Sequence, residues 1–340
     1  MIAKELLERK EYLGNEEVES IYFGGGTPSL LPAGKIESLL NLIGEEYNVA
    51  AEPEITLEAN PDDLDQKKSV ELKSAGINRL SIGIQSFFDN DLKFMNRAHD
   101  ASQALQAVTI ARKAGFQNIS IDLIYGLPLS TPHQWAKNLK AAFELEVDHL
   151  SCYALTVEPR TVLADLIRKK KVSLPDDDRT IGDFELLMDR ASKAGFEHYE
   201  ISNFAYGRKY SKHNTSYWQR RKYLGVGPSA HSYDVKSRQW NISNNPEYIR
   251  SLKAGKLAFE REVLTPENKH NEYILTALRT MWGIDLSLVE SEFGNEKKNM
   301  LLMLAESYYR NKMLDIARNK ITLTNKGKFI ADRIASDLFI

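Results

Sequence analysis

The chain has 340 residues, of which 42% are hydrophobic and 27% charged, and its net charge is −2. This is the composition of a globular protein with room for two domains. The balanced charge argues against a nucleic-acid binder held mainly by a basic face, and no apolar run is long enough to span a bilayer.

Residues 1–10 read as an amphipathic helix rather than a secretion signal. Strands are expected at Ser20–Phe23, Glu54–Glu58, Arg79–Ile84, Ser120–Leu123, Val147–Tyr153 and His198–Ser202. Helical patterns alternate with them, so the sheet should be mostly parallel. Three helix ends look alike: Lys73-Ser74-Ala75-Gly76, Lys113-Ala114-Gly115 and Lys193-Ala194-Gly195. Each places lysine near the end and glycine where the chain turns left-handed. The glycines lie 39 and then 80 residues apart, one and then two strand-plus-helix units. Ala101, Ala104, Leu105, Val108 and Ala111 recur at helical spacing and should face the sheet. Thr131-Pro132-His133-Gln134 has the form of a capping box.

Composition shifts near Tyr206, where aromatic, basic and asparagine residues replace periodic runs. From Thr265 the pattern is helical over Glu267–Met281, Leu286–Phe293 and Glu296–Arg310. A short strand at Ile321–Leu323 and a helix after Thr324 complete a winged-helix-like order. Net charge favours a lid or dimer module there over DNA binding. The expected organisation is an incomplete α/β barrel over residues 1–205, a connecting extension over 206–262 and a mainly helical domain over 263–340. The pattern opens on a helix where a full barrel would open on a strand. A truncated chain or a misassigned start codon is the expectation.

Polar residues sit just after the strands. Gly24-Gly25-Gly26-Thr27-Pro28 follows Ile21-Tyr22-Phe23, Glu58 follows Ile55-Thr56-Leu57, Gln85 follows Ile82-Gly83-Ile84, and Asp122 follows Ile119-Ser120-Ile121. In parallel α/β barrels the C-terminal strand ends converge on one mouth, where ligands bind. Each residue alone has a plainer reading: glycines make tight turns, and carboxylates and amides solvate strand ends.

The chain resembles the oxygen-independent coproporphyrinogen III oxidase-like family of radical S-adenosylmethionine (SAM) proteins. The resemblance rests on Ile21–Ser29, Leu57-Glu58-Ala59-Asn60-Pro61, Asn78–Phe87, Asn96-Arg97, Ile121–Pro128 and Tyr223-Leu224-Gly225-Val226-Gly227. Lys212-His213-Asn214-Thr215-Ser216-Tyr217-Trp218 resembles the haem-chaperone branch of that family. The resemblance implies a radical SAM barrel and SAM contacts at Gly25, Gly26, Thr27, Glu58, Gln85, Arg97 and Asp122. The residue chemistry agrees with it. Glycines admit close backbone approach, Glu58 and Gln85 can bond amine and hydroxyl groups, and Arg97 can fork a carboxylate. Asp122, between Ile121 and Leu123, needs a partner such as a ribose hydroxyl.

The family also holds a [4Fe–4S] cluster on three cysteines in a Cys-x₃-Cys-x₂-Cys loop after the first barrel strand, and such clusters need thiolates. That loop would lie before Met1. The single cysteine, Cys152, sits in a strand-like run, reads as a small buried apolar residue and cannot replace three ligands. No cluster and no SAM cleavage are expected of this chain, SAM binding itself is put in doubt, and no catalytic residue is assigned. One cysteine also permits no internal disulfide, which points to a reducing cytoplasm.

Of seven histidines, His99, His133, His149, His198 and His270 read as structural or exposed. His213 lies among Tyr210, Tyr217 and Trp218, and imidazole ligates haem iron while aromatic faces cover a porphyrin. Its local context alone fits a hydrogen-bonded surface histidine; the branch motif makes it the haem candidate. His231 is a second, weaker one, and Arg220-Arg221-Lys222 could meet haem propionates or simply be solvated. The leading reading is a cytoplasmic haem chaperone, with haem, haem-requiring client enzymes such as respiratory oxidases, and a second copy of the chain as partners. The first alternative is a coproporphyrinogen III oxidase, which decarboxylates coproporphyrinogen III to protoporphyrinogen IX. The second is nucleic-acid binding by the C-terminal module.

Overall fold

In this computed structural model, which describes residues 1–340, α1 (Ile2–Glu8) precedes β1 (Val18–Phe23) and α2 (Ala33–Glu46). Then come β2 (Val49–Ala59), α3 (Gln66–Ser74), β3 (Arg79–Gln85), α4 (Asp89–Phe94), α5 (Ala101–Lys113), β4 (Asn118–Tyr125) and α6 (Pro132–Glu144). β5 (His149–Ala154), α7 (Val162–Arg168) and α8 (Asp177–Lys193) lead to a hairpin of β6 (Phe196–Glu200) and β7 (Asn203–Tyr206). These seven strands make one curled half-barrel sheet in the order β1-β2-β3-β4-β5-β7-β6. Pairing from β2 to β5 is parallel, and β7 runs antiparallel to both β5 and β6. β7 was not foreseen. It is four residues long and follows a tight turn at 201–202, too short to show a period.

The central strands alternate strictly. Leu80, Ile82 and Ile84 of β3, Ile119, Ile121 and Leu123 of β4, and Leu150 and Cys152 of β5 are buried, the apolar side of a two-residue period. The flanking helices bury matching residues: Leu72 of α3, Ala104, Ala107, Val108 and Ala111 of α5, Trp135 and Leu139 of α6, Phe184 and Leu187 of α8. Leu105 departs from expectation and is 42% exposed. The buried stripe of α5 is narrow and made of small residues, and position 105 falls outside it. The intervening residues Arg79, Ser81, Gly83 and Gln85, Ser120 and Asp122, and His149 and Ser151 share the opposite, concave face.

Helix ends follow the expected signals. Asp100 and Thr131 form capping boxes, with Gln103 and Gln134 three residues on. Gly76, Gly115 and Gly195 have φ of 104°, 95° and 83°, just past the C-caps of α3, α5 and α8.

The chain divides into two compact units. One comprises Ser20–Glu37 and Glu54–Ser211; the other comprises Met1–Glu19, Ser38–Pro53 and Lys212–Ile340. The second unit continues with α9 (Lys212–Trp218), β8 (His231–Tyr233), β9 (Ser237–Asn241), α10 (Asn245–Lys253) and β10 (Phe259–Val263), the strands forming an antiparallel sheet. α11 (Pro266–Leu278), β11 (Ile284–Asp285), α12 (Leu286–Phe293), α13 (Asn295–Arg310), β12 (Leu314–Ala317), β13 (Lys320–Leu323), α14 (Asn325–Lys328) and α15 (Ala331–Asp337) complete it. The last group is helical with a small sheet, around a core that includes Ile274, Leu278, Val289, Leu301, Ile321 and Ile334. Within the same unit, α1 buries charge. Glu5 is ion-paired with Arg9, whose Nε lies 3.1 Å away, and accepts from Asn241 Nδ2 at 2.7 Å, Gly227 N at 2.8 Å and the Tyr248 hydroxyl. Arg9 in turn donates to Asn241 Oδ1 at 2.9 Å and lies over the Phe259 ring. An interior ion pair persists where polar neighbours share its charge, as Gln239, Asn241 and Tyr248 do here.

Gly225 passes against the backbone of β8: a Cβ there would lie 2.1 Å from the His231 carbonyl oxygen. Gly44, inside α2, would place its Cβ in open space. Gly225→Ala should destabilise the fold by roughly 1–3 kcal/mol, as forced overpacking does. Gly44→Ala should stabilise it by about 0.5–1 kcal/mol. Urea unfolding of both variants is the check, and equal effects would contradict the packing described.

Candidate functional site

The mouth is built from the C-terminal ends of β1 to β4. After β1 the chain turns through Gly25 and Gly26, at φ of 76° and 67°, and Thr27 then leads into the 3-10 turn Pro28–Leu30. The Gly25 amide donates to Glu58 Oε2 at 3.0 Å, and the Tyr22 hydroxyl donates to Glu58 Oε1 at 2.8 Å. Burial, reinforced by the Glu58 carboxylate, pushes Tyr22 far above the usual phenol range, so it remains a donor. A carboxylate at the end of β2 thereby fixes the glycine loop that follows β1.

Asp122 stands on β4, with Ser81 of β3 donating to it at 3.4 Å and Ser151 of β5 bonding it from the other side. Burial pushes its pKa up to about 6. The Ser151 hydrogen bond opposes this, the Glu58 charge adds to it, and Arg79 and Ser81 hold it down. Glu58 is the register partner of Ser81, so Ser81 sits between the two carboxyl groups.

Gln85 ends β3 at φ 68°, and the β3–β4 register shifts between Ile82 and Gln85. Its side chain folds over Gly83. A Cβ on Gly83 would lie 2.9 Å from Gln85 Nε2 and 3.4 Å from Arg97 Nη2, so glycine makes room for both ends. Arg97 Nη2 donates to Gly83 O at 3.2 Å and Asn60 Oδ1 at 2.6 Å. Asp63 Oδ2 accepts from Asn60 Nδ2 at 3.4 Å and from Ser29 Oγ at 2.7 Å. The glycine loop, the Asn60–Asp63 turn, Arg97 and the end of β3 therefore form one hydrogen-bonded chain. A guanidinium has five N–H donors, so Arg97 can hold its own scaffold and still offer donors to a carboxylate.

These contacts place Gly25, Glu58, Gln85, Arg97 and Asp122 around the ends of β1 to β4, with Gly26 and Thr27 next to Gly25 in the loop. Tyr22, Asn60, Arg79, Ser81 and Ser151 were missed. For Arg79, Ser81 and Ser151 the signal was present: Arg79-x-Ser81-x-Gly83-x-Gln85 and His149-x-Ser151 put polar residues or glycine at every second strand position.

His213 belongs to the other unit, on α9. Its Nε2 lies 2.9 Å from the Tyr217 hydroxyl, and the two rings meet edge-on with centroids 4.8 Å apart. Burial pushes Tyr217 up to about 12, so the hydroxyl stays protonated at neutral pH. Tyr223 and Tyr233 extend the aromatic row, at centroid steps of 4.6 and 5.9 Å. His231 is exposed, with its ring 6.3 Å from that of Trp240. Arg220, Arg221 and Lys222 pair with Glu292, Glu19 and Glu16.

The residues present do not fit an iron–sulfur cluster. Such a cluster needs several thiolates, and these 340 residues carry one thiol, Cys152, which is buried on β5 with its pKa raised by burial. They do fit the organic part of SAM. A guanidinium, an amide and two carboxyl groups match an amino-acid zwitterion and a ribose.

The Asp122 value carries a sign. It lies above the 3.8 of a free carboxyl, so the folded chain holds the proton more tightly than the unfolded one. The stability this supplies is complete below about pH 4 and is lost as pH rises through about 6. Asp122→Asn should therefore be more stable than the parent above pH 7, with the gap closing toward pH 4. Denaturation across that range is the measurement, and a gap independent of pH would remove the raised pKa.

Residues 1–142 match the model of the Radical SAM superfamily. Heme chaperone HemW of Lactococcus lactis is 34% identical over 322 residues, which cover 95% of this chain and 85% of that protein. Heme chaperone HemW of Bacillus subtilis is 30% identical over 335 residues, or 98% and 88% of the two chains. Among solved structures, coproporphyrinogen III oxidase HemN from Escherichia coli superposes with a TM-score of 0.84 at 23% identity, covering 99% of this chain and 81% of that one. That likeness shows a shared fold, while the likeness to the chaperones runs through barrel and C-terminal unit alike. The chain belongs to the HemW haem-chaperone family of radical SAM proteins.

Proposed function

We propose that this protein binds haem and delivers it to haem-requiring enzymes, respiratory oxidases among them, and that its barrel mouth holds SAM. The observation that carries the first part is the likeness to HemW chaperones over nearly the whole chain. The Lys212–Trp218 segment supports a haem site there: it forms a helix that presents an imidazole beside a row of tyrosines. The connecting extension 206–262 then carries the haem contact, and His213 is the axial ligand. The Tyr217 hydroxyl bonds its Nε2, so an iron held at that nitrogen would take the hydroxyl's place.

The SAM reading is supported by the chemistry of the mouth. Arg97 would hold the methionine carboxylate, Glu58 with the Gly25 and Gly26 backbone the amine end, and Gln85 and Asp122 the nucleoside hydroxyls, with Thr27 at the rim. When bound beside a cluster, SAM supplies radical chemistry to family members; the residues of this chain bind and orient it. The compartment proposed is the cytoplasm, and no helix is long and apolar enough to cross a membrane.

Haemin titration followed in the Soret region tests the haem site. His213→Ala should weaken binding and shift the band, because the iron loses an axial ligand. Tyr217→Phe keeps the ring and removes the competing hydroxyl, so it should bind at least as tightly as the parent. An unchanged spectrum and affinity for His213→Ala would reject this ligand. Calorimetry with SAM tests the mouth. Arg97→Ala should lose roughly tenfold or more in affinity, the worth of a charge-assisted hydrogen bond, and leave the Soret titration as in the parent. Equal SAM affinity in that variant would remove Arg97 from the site.

A further inference from the structure

Gln85 is held in a conformation that a side-chain-bearing residue seldom adopts. Its φ is 68°, and the Ser86 amide donates back to the Ile84 carbonyl at 2.8 Å, closing a three-residue turn around it. A γ-turn with positive φ at its centre is rare and strained. Such strain persists where neighbouring contacts over-determine it, and it clusters at functional sites. Four contacts do so here. Upstream, Arg97 holds Gly83 O. Downstream, Ser86 Oγ donates to Asp91 Oδ2 at 2.8 Å and the Phe87 amide to Asn138 Oδ1 at 2.7 Å. At the turn itself, His99 Nε2 lies 3.0 Å from the Ile84 oxygen, the same oxygen that closes the turn.

We propose that His99 is a positioning residue of this mouth: its buried imidazole clamps the Ile84 carbonyl and so aims the Gln85 carboxamide over Gly83. The assignment of SAM as the ligand that meets Gln85 rests on the function proposed above; the clamp itself rests on geometry. A carbonyl oxygen only accepts, so Nε2 must carry the proton. Nδ1 is then bare, buried and without a hydrogen bond. The Asp62 carboxylate lies 3.7 Å from Nδ1, and Arg97 and Asp100 are the other charged groups that face the ring. Burial, with the Arg97 charge, lowers the pKa, which keeps the ring neutral and the clamp a single donor. A merely space-filling histidine would not need that tautomer or that carbonyl.

The experiment uses the whole chain with labelled histidine and glutamine, observed by NMR, alongside calorimetric titration with SAM. His99 should appear as the Nε2–H tautomer in the parent; an Nδ1–H tautomer overturns the clamp. His99→Leu keeps apolar volume and removes the donor. Gln85 backbone shifts should then move from left-handed toward extended values, and the SAM dissociation constant should rise about tenfold, the loss of one well-placed hydrogen bond. His99→Gln, which can still donate, should restore the Gln85 shifts and stay within about threefold of the parent. Parent-like Gln85 shifts in His99→Leu overturn the proposal. A parent that binds no SAM while its Gln85 shifts still depend on His99 overturns the SAM assignment and upholds the clamp. Should His99→Leu fail to fold, the tautomer and the His99→Gln titration decide alone.

Discussion

The two-residue period of β3, β4 and β5 is the constraint on which the first unit rests. Each of these strands buries alternate apolar residues against helices and turns the others toward the mouth. Fully burying one leucine or isoleucine is worth about 1.5–3 kcal/mol. Leu80, Ile82, Ile84, Ile119, Ile121 and Leu123 together fix the register firmly. A slip of one residue would drive Arg79, Ser81 and Asp122 into the helix layer. The same period therefore decides both the stability of the sheet and the address of every polar group in the site.

A polar concave face makes its own demands, because buried polar groups are costly unless partnered. Here they partner one another. Ser120 and Tyr199 meet the two nitrogens of His149, each at 2.7 Å, and burial holds that imidazole well below its ordinary pKa. Arg79 lies 3.9 Å from Glu54, both buried. Above this layer Ser81 and Ser151 flank Asp122, and Tyr22 meets Glu58. Linked polar groups in a low-dielectric interior reinforce one another and rigidify what they connect. The ligand-type residues at the mouth stand on that floor.

Strand positions, caps and the convergence of strand ends were legible in the sequence because each has a local cause: a period, a capping residue, a glycine past a helix end. What was not legible is non-local. β7 pairs between β5 and β6, so its place in the sheet depends on partners dozens of residues away. The sheet of β8, β9 and β10 hides in a region without period, and its burial of Gln239 and Asn241 follows from the Glu5–Arg9 pair more than 200 residues upstream. A composition reading of α1 sees an amphipathic helix and cannot tell that two of its charges face inward. His99 is the same case within the site. Its sequence context is polar and unremarkable, and only the γ-turn at Gln85 gives its imidazole a task.

Ligand binding and cluster chemistry draw on different residue types, and this bears on how the mouth should be understood. The groups suited to an amino acid and a ribose are oxygens and nitrogens at strand ends, held by Ser29, Asn60, Asp63 and Ser81 on neighbouring turns and strands. None of those contacts involves a thiol, and Cys152 lies on the helix side of β5. The mouth groups are thus held by the sheet and by a second layer of hydrogen bonds. The strained turn at Gln85 belongs to the same layer: His99 and Arg97 hold the carbonyls before it and Asn138 the amide after it, so the sheet end and its neighbours together set where the carboxamide lies.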